Sequence, residues 1–328
     1  MPTSAWFYRG LICCLGAALS VICRPAFAQA YPSHPVRIVV AFSTGTASDI
    51  MARLFAQKLG ESLGQQFIVE NRDGAGGTVG SAIVAKAAPD GYTVLLAGGS
   101  FAIAKHLYPK LPYDPFKDLT PVAMFAVVPN VLIVNPALPA RSVKELIAIA
   151  RAHPGKLDYA SSGKGSPSFL YMELLKSMTR IDIVEIPYKS SAQALADVIG
   201  GQIAMNMPAL PAAIPHVKGG RLRALAMSGA RRAPALPEVP SMNESAGITG
   251  YDAIARYGFI APAGTPADIV RRLQNEILKI IAQPEMKQRI EAQGAEVIGK
   301  SADEYAKEIA GEAQSWGKLI QKLDLRIE

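Results

Sequence analysis

Two short runs of small, hydroxyl-bearing residues are the parts of this 328-residue chain best suited to chemistry. The first is Ser43-Thr44-Gly45-Thr46-Ala47-Ser48-Asp49, which follows the apolar run Ile38–Phe42 and leads into an amphipathic helical pattern. The second is Ser161-Ser162-Gly163-Lys164-Gly165-Ser166-Pro167-Ser168, which follows a short strand pattern and opens a helix at Pro167. Strand, small polar loop and helix N-terminus together make an anion site, because first-turn N–H groups are unpaired and carry positive partial charge. In the first run, Gly45 permits unusual backbone angles, Ser43, Thr44, Thr46 and Ser48 supply hydroxyls, and Asp49 can order the loop or cap the helix. An ordinary βα turn with Ser48 as N-cap explains the same residues equally well. The second run, with two glycines and four serines, favours an anion over a plain turn. Its Lys164 either steers charge or faces solvent.

Other chemistry is excluded by spacing. Glu70 to Gly80 carries Gly74, Gly76, Gly77 and Gly80, which match a dinucleotide loop only by slipping the register, and no acid follows about twenty residues on at a strand end. A glycine turn lining a cleft is the better reading. Gly98-Gly99-Ser100 lacks the last glycine of a nucleophile elbow and has no Asp and His partners downstream. His34, His106, His153 and His216 are isolated and form no metal-ligand pair. The sequence therefore predicts no catalytic residue, no metal site and no cofactor, and the chain is not read as an enzyme.

The elements that must position the two runs alternate as strand and helix. Strand patterns cover 36–42, 66–70, 92–97, 122–134, 157–160, 182–187, 202–207, 222–227 and 256–261. Helical patterns cover 49–63, 78–87, 143–152, 167–178, 191–199, 266–282, 284–293 and 302–322. This rhythm predicts α/β layers with parallel strands. Ser142 with Glu145 and Ser301 with Glu304 have capping-box spacing, while Gly64 and Gly200 mark helix ends. Two stretches, 108–121 and 230–251, lack regularity and suit crossings between lobes or covering loops. The expected division is 29–130 plus 228–328 for one lobe and 131–227 for the other.

Residues 1–28 read as a cleavable secretory signal: Arg9, an apolar stretch from Leu11 to Ile22, and Ala26-Phe27-Ala28 at the cut, with a second possible cut at Ala28-Gln29-Ala30. No later stretch is long and apolar enough to span a bilayer. The three cysteines, Cys13, Cys14 and Cys23, all fall within the signal, so an exported mature chain has no disulfide or reactive thiol and depends on its core. Half of the chain is hydrophobic, which can supply that core. Cleavage removes Arg9 and Arg24 and lowers the net charge from +7 to +5. The basic cluster Arg221, Arg223, Arg231 and Arg232 has no interleaved aromatics, which argues against nucleic acid.

Several stretches together resemble the Bug-type periplasmic receptors, the solute-binding components of tripartite tricarboxylate transporters. They are Tyr31 to Arg37, Val69 to Arg72 with Gly74 to Gly77, Ala87 to Tyr92, and Leu107 to Pro115. Pro187-Tyr188-Lys189, Gly200-Gly201-Gln202 and Ala261 to Pro266 continue the likeness over essentially the whole mature chain. The resemblance implies a two-lobed binding-protein fold (type II-like) that closes over its ligand in a cleft between the lobes. It implies a carboxylate held between the first βα loop and a helix N-terminus of the other lobe, partly through water. Carried onto this chain, the ligand residues are Ser43, Thr44, Gly45, Ser48 and Asp49 on one side and Ser161, Gly163, Gly165, Ser166 and Ser168 on the other. Thr78, Ser100 and Lys189 would lie nearby.

The chain also departs from the family pattern. Its first loop has one glycine where the family usually has two, and Phe169 stands where a histidine is common. Pro208-Ala209 replaces an Asp-Asn, which argues against an amino-acid ligand. Phe169 and Met207 would suit an apolar or aromatic carboxylate. The resulting expectation is a monomeric periplasmic receptor that passes a small carboxylate to membrane permease subunits. The alternative is a ligand-sensing partner of a membrane receptor kinase or regulator.

Overall fold

The computed structural model describes residues 31–245 and 247–327, and the signal expected at 1–28 lies outside them. Apolar runs set the strands. β1 (Val36–Val40), β2 (Phe67–Asn71), β3 (Thr93–Ala97), β4 (Leu119–Pro129), β10 (Ile254–Pro262) and β11 (Glu296–Lys300) form one sheet, ordered β11-β4-β10-β3-β1-β2. β5 (Val131–Val134), β6 (Asp158–Ser161), β7 (Val184–Pro187), β8 (Met205–Asn206) and β9 (Arg223–Met227) form the other, ordered β7-β6-β8-β5-β9.

Both sheets are mixed, with the expected parallel strands forming one part of each and antiparallel strands the rest. β1, β2 and β3 are parallel, as are β6, β7 and β8. Each of these strands reaches the next through a crossover helix, as parallel pairing requires. The helices are α1 (Ala47–Leu63), α2 (Thr78–Ala85), α5 (Pro167–Thr179) and α6 (Ser191–Ile199). The strands that carry the chain between sheets, β4, β5, β9 and β10, pair antiparallel. The single apolar run read at 122–134 is two strands in two sheets, divided at Pro129 and Asn130.

That crossing fixes where the loops face. The end of β4 pairs with the start of β10 (Pro129 opposite Ile254), and β10 runs antiparallel beyond the carboxyl end of β3 (Gly258 opposite Ala97). Val131, at the start of β5, pairs with Met227 at the end of β9 and lies beyond the carboxyl end of β8. The chain thus leaves the first sheet and enters the second at the carboxyl edges of their parallel strands. The return path, 228–253, is tied to the same point. Asn130 N donates to Ser228 Oγ at 2.8 Å, Ser228 N to the Asn130 carbonyl at 2.8 Å, and Ala253 N to the Ser228 carbonyl at 3.0 Å. Asn130 and Ser228 are buried, so these bonds satisfy groups that water cannot reach.

The remaining helices are α3 (Ala104–Leu107), α4 (Val143–Ala152), α7 (Leu210–Lys218), α8 (Ala267–Ile281), α9 (Pro284–Glu291) and α10 (Ala302–Lys322). Ser301 and Glu304 form the full capping box, whereas Glu145 reaches past Ser142 to the Arg141 N–H. Phe125 and Phe259 of the first sheet meet Phe55 of α1 and each other in tilted and edge-on pairs, with ring centres 4.5 to 5.6 Å apart. Each such pair contributes about 0.5–1.5 kcal/mol beyond its buried area. α10 joins both cores: Tyr305 and Ile309 pack under the first sheet, and Trp316, Leu319 and Ile320 pack against the second.

Candidate functional site

The parallel strands of each sheet end in loops at the edges that meet at the crossover, the position where open α/β sheets bind ligands. After β1 comes Ser43–Thr46. Thr46, not Ser48, is the N-cap of α1, and its hydroxyl accepts from Asp49 N at 3.4 Å. Asp49 lies inside the first turn, buried, where Oδ2 accepts from Gly45 N at 2.9 Å and Oδ1 sits 2.9 Å from Arg53 Nη2. Burial pushes the Asp49 carboxyl up, but Arg53, the Gly45 amide and Asn71 outweigh it and hold it below its ordinary value. Gly45 takes φ 82°, open to glycine without strain. Ser48 is buried near Tyr257, whose phenol is pushed up by burial and drawn partly back by the Ser48 hydroxyl. Ser43 donates to Asp73, and Thr44 is exposed.

The turn after β2 joins this cluster. Gly76 and Gly77 both have positive φ, and Ser100, from the loop after β3, donates to the Gly76 carbonyl. Thr78, the first residue of α2, donates to the Ala75 carbonyl at 3.0 Å. Thr78 and Ser100 line a hollow of about 10 Å³ with Phe42, Gly76, Ser81 and Tyr113, room for about one water. The Tyr113 hydroxyl is buried there without a hydrogen-bond partner. Ser81 lies close enough to lower the phenol's pKa against the dominant effect of burial, but its own proton goes to the Gly77 carbonyl at 2.9 Å. Neither Tyr113 nor Asp73 carried a local signal: Asp73 meets Ser43 across 30 residues of chain, and Tyr113 reaches the hollow of Phe42 and Thr78 from a distant loop.

The second cluster follows β6. Ser166 caps α5, its hydroxyl accepting from Phe169 N at 3.3 Å, and Pro167 occupies the first helical position. Ser168 Oγ accepts from Ser162 N at 3.1 Å, and Ser161 Oγ accepts from Gly163 N at 3.0 Å while donating to Glu185 at 2.5 Å. Gly163 and Gly165 take φ 90° and 82°. The N–H groups of Lys164, Gly165 and Ser168 have no acceptor among the described residues. No acid stands in the first turn of α5. Ser162 reaches Ser191 Oγ at 2.7 Å, which links this loop to the one after β7.

Lys189 lies in that loop, exposed, beside the Ser190 cap of α6. Phe169 and Met207 are placed differently from the pocket-facing expectation. Both are buried in the core of the second sheet, where the Met207 sulfur accepts from Tyr251 Oη at 3.3 Å. Their chain positions border the loops after β6 and β8, but both side chains turn into that core. Lys164 is exposed. Among the described residues no group of His, Cys, Asp or Glu could hold a metal ion, and no helix is long and apolar enough to cross a membrane.

Comparison with known proteins gives this arrangement a family. Residues 51–325 match the model of the tripartite tricarboxylate transporter family receptor. BugT of Bordetella pertussis is 36% identical over 313 residues, covering 95% of this chain and 96% of that protein. The solved structure of Rhodopseudomonas palustris Rpa4515 with adipate superposes with a TM-score of 0.78 at 35% identity, over 89% of this chain and 97% of that one. MatC from the same organism, with bound malate, gives 0.74 at 30% identity over 88% and 100%. The fold is thus that of the periplasmic binding proteins, and the chain belongs to the tripartite tricarboxylate transporter receptor family.

Proposed function

We propose that this protein is a periplasmic receptor that captures a small carboxylate between two lobes and presents it to the membrane subunits of a tripartite transporter. The lobes are 29–130 plus 228–328 and 131–227, with the return segment's Ala233, Leu236 and Val239 and most of the C-terminal half of α10 packed on the second. One observation carries the reading. The N-terminus of α5 offers N–H groups without an acceptor among the described residues and serine hydroxyls, with no acid in its first turn, and the loop before it lies against Leu107 and Ile327 at Gly165. A carboxylate there receives charge-assisted hydrogen bonds and the favourable end of the helix dipole without a cationic side chain. Ser161, Gly163, Gly165, Ser166 and Ser168 hold it, with Lys189 adding positive potential. From the first lobe, Ser43, Thr44, Gly45, Ser48, Thr78 and Ser100 close over the rest of the molecule, and Asp49 orders that loop. Closure removes water and strengthens each of these bonds. Adipate in one relative and malate in another fit this chemistry. The receptor itself is a monomer and performs no reaction.

The test is thermal unfolding of residues 29–328, refolded to strip carried-over ligand, against adipate, malate, aromatic acids and their amides. A ligand at 100 times its Kd adds about 2.7 kcal/mol. A raised midpoint with an acid and none with its amide supports the proposal; equal shifts with both contradict it.

A further inference from the structure

The sheet order places a second structural feature on the far side of the crossover from the cleft. The cleft loops follow β1, β2 and β3 in one sheet and β6, β7 and β8 in the other, while β4, β10, β5 and β9 form the pivots. Beyond the pivots lies β11, and there a cavity of about 480 Å³ opens between the lobes. Met124, Val127 and Ile298 form its first-lobe wall, and Leu210, from the second lobe, faces them with Ala233 and Pro234 of the return segment. Two contacts bridge its rim. Arg231 belongs to the return segment, which packs into the second sheet's core through Ala233, Leu236 and Val239 and so moves with the second lobe, and its Nη2 lies 2.6 Å from Glu296 Oε1. The backbone of Gly294 packs on Pro211 of α7 so closely that a Cβ there would come within 2.7 Å of the proline ring.

We propose that this rear cavity and its bridging contacts are a counter-latch that holds the cleft open. The inference rests on the two-lobed receptor reading above. The pivots are held together by buried bonds among Asn130, Ser228 and Ala253, so the lobes turn about that point. A rotation that narrows the cleft widens the rear, and closure must therefore separate Arg231 from Glu296 and Pro211 from Gly294. α10 has residues in both cores, which keeps the rotation small and makes a few rim contacts sufficient to set the resting angle. The observed ligand affinity is the intrinsic one scaled by the fraction of closed molecules, so weakening the latch tightens binding. A loss of fold stability would have the opposite sign.

Two substitutions test it. Ala230, exposed on the cavity wall, changed to tryptophan (Ala230→Trp) wedges the rear apart; Glu296→Gln removes the bridging charge without changing shape. The mature chain has no cysteine, so spin labels at Val79→Cys and Ala192→Cys, exposed at the starts of α2 and α6, report the cleft mouth. In ligand-free protein both variants should shorten the label distance. With adipate as the titrant, Kd should fall roughly tenfold for Ala230→Trp and two- to threefold for Glu296→Gln, the scale of an exposed ion pair. A label distance unchanged or longer in both variants overturns the counter-latch, whatever the titration shows. Wild-type protein that ignores adipate counts against the ligand reading, and the label distances still decide the latch. Should Ala230→Trp fail to fold, Glu296→Gln alone decides it.

Discussion

The loops after β1 and β6 are built alike, yet their polar groups are engaged differently. Each has a strand, small residues, a positive-φ glycine and a capped helix. In the first, Asp49 already places a carboxylate in the first turn of α1, bound to the Gly45 N–H and paired with Arg53. In the second, Phe169 stands in that position, its N–H bound by the Ser166 hydroxyl, and no acid occupies the first turn of α5. The first loop carries its own anion; the second has none in its first turn. On the proposed function, similar sequence patterns divide the work, one loop supplying shape and the other charge recognition.

The comparison is broken most strongly by putting a carboxylate into the second loop. Ser166→Asp keeps a good N-cap and should leave the melting midpoint unchanged or raised, while carboxylate affinity, measured by calorimetry, falls about 100-fold, or ~2.7 kcal/mol. The glycines give the next largest effect. Gly165→Ala places a Cβ 2.3 Å from Ile327 Cδ1 at a φ of 82° and should cost about 2 kcal/mol in denaturant unfolding. Gly45→Ala, at the same φ but in open space, should cost only about 1 kcal/mol.

Asp49→Asn sharpens the contrast through pH. The folded carboxyl titrates below its ordinary value, so its stabilisation is fully present above the unfolded pKa of about 3.9 and is lost as pH falls through the folded value. The variant should be about 1 kcal/mol less stable than wild type at pH 7, and the two curves should converge in acid. Thr46→Ala should have the smallest effect. Its capping bond is long at 3.4 Å, which places the loss near the lower end of the cap range, about 0.5 kcal/mol in urea unfolding.

Local pattern revealed much of this architecture because the βα units are locally encoded. Ser166-Pro167 marked the start of α5, and Gly64 its counterpart stop after α1, because each has a conformational reason within one or two residues. What escaped notice depends on distant partners or broken patterns. α7 carries Pro211 and Pro215, which mask a helical period. β11 is a short edge strand with Gly299 inside it. The division at Asn130 is invisible in an unbroken apolar run, because only the bonds to Ser228 reveal that the chain changes sheets there. The inward turn of Phe169 and Met207 was likewise beyond reach, since residue type fixes neither face of a buried strand nor of a buried helix.

The most direct test is a crystal structure of the refolded mature chain with the carboxylate that raises its melting midpoint most. The account predicts a carboxylate oxygen within about 3 Å of the Gly165 or Ser168 N–H, with the first loop closed over the other end. A ligand whose carboxylate lies against α1 beside Asp49, or outside the cleft, would contradict it.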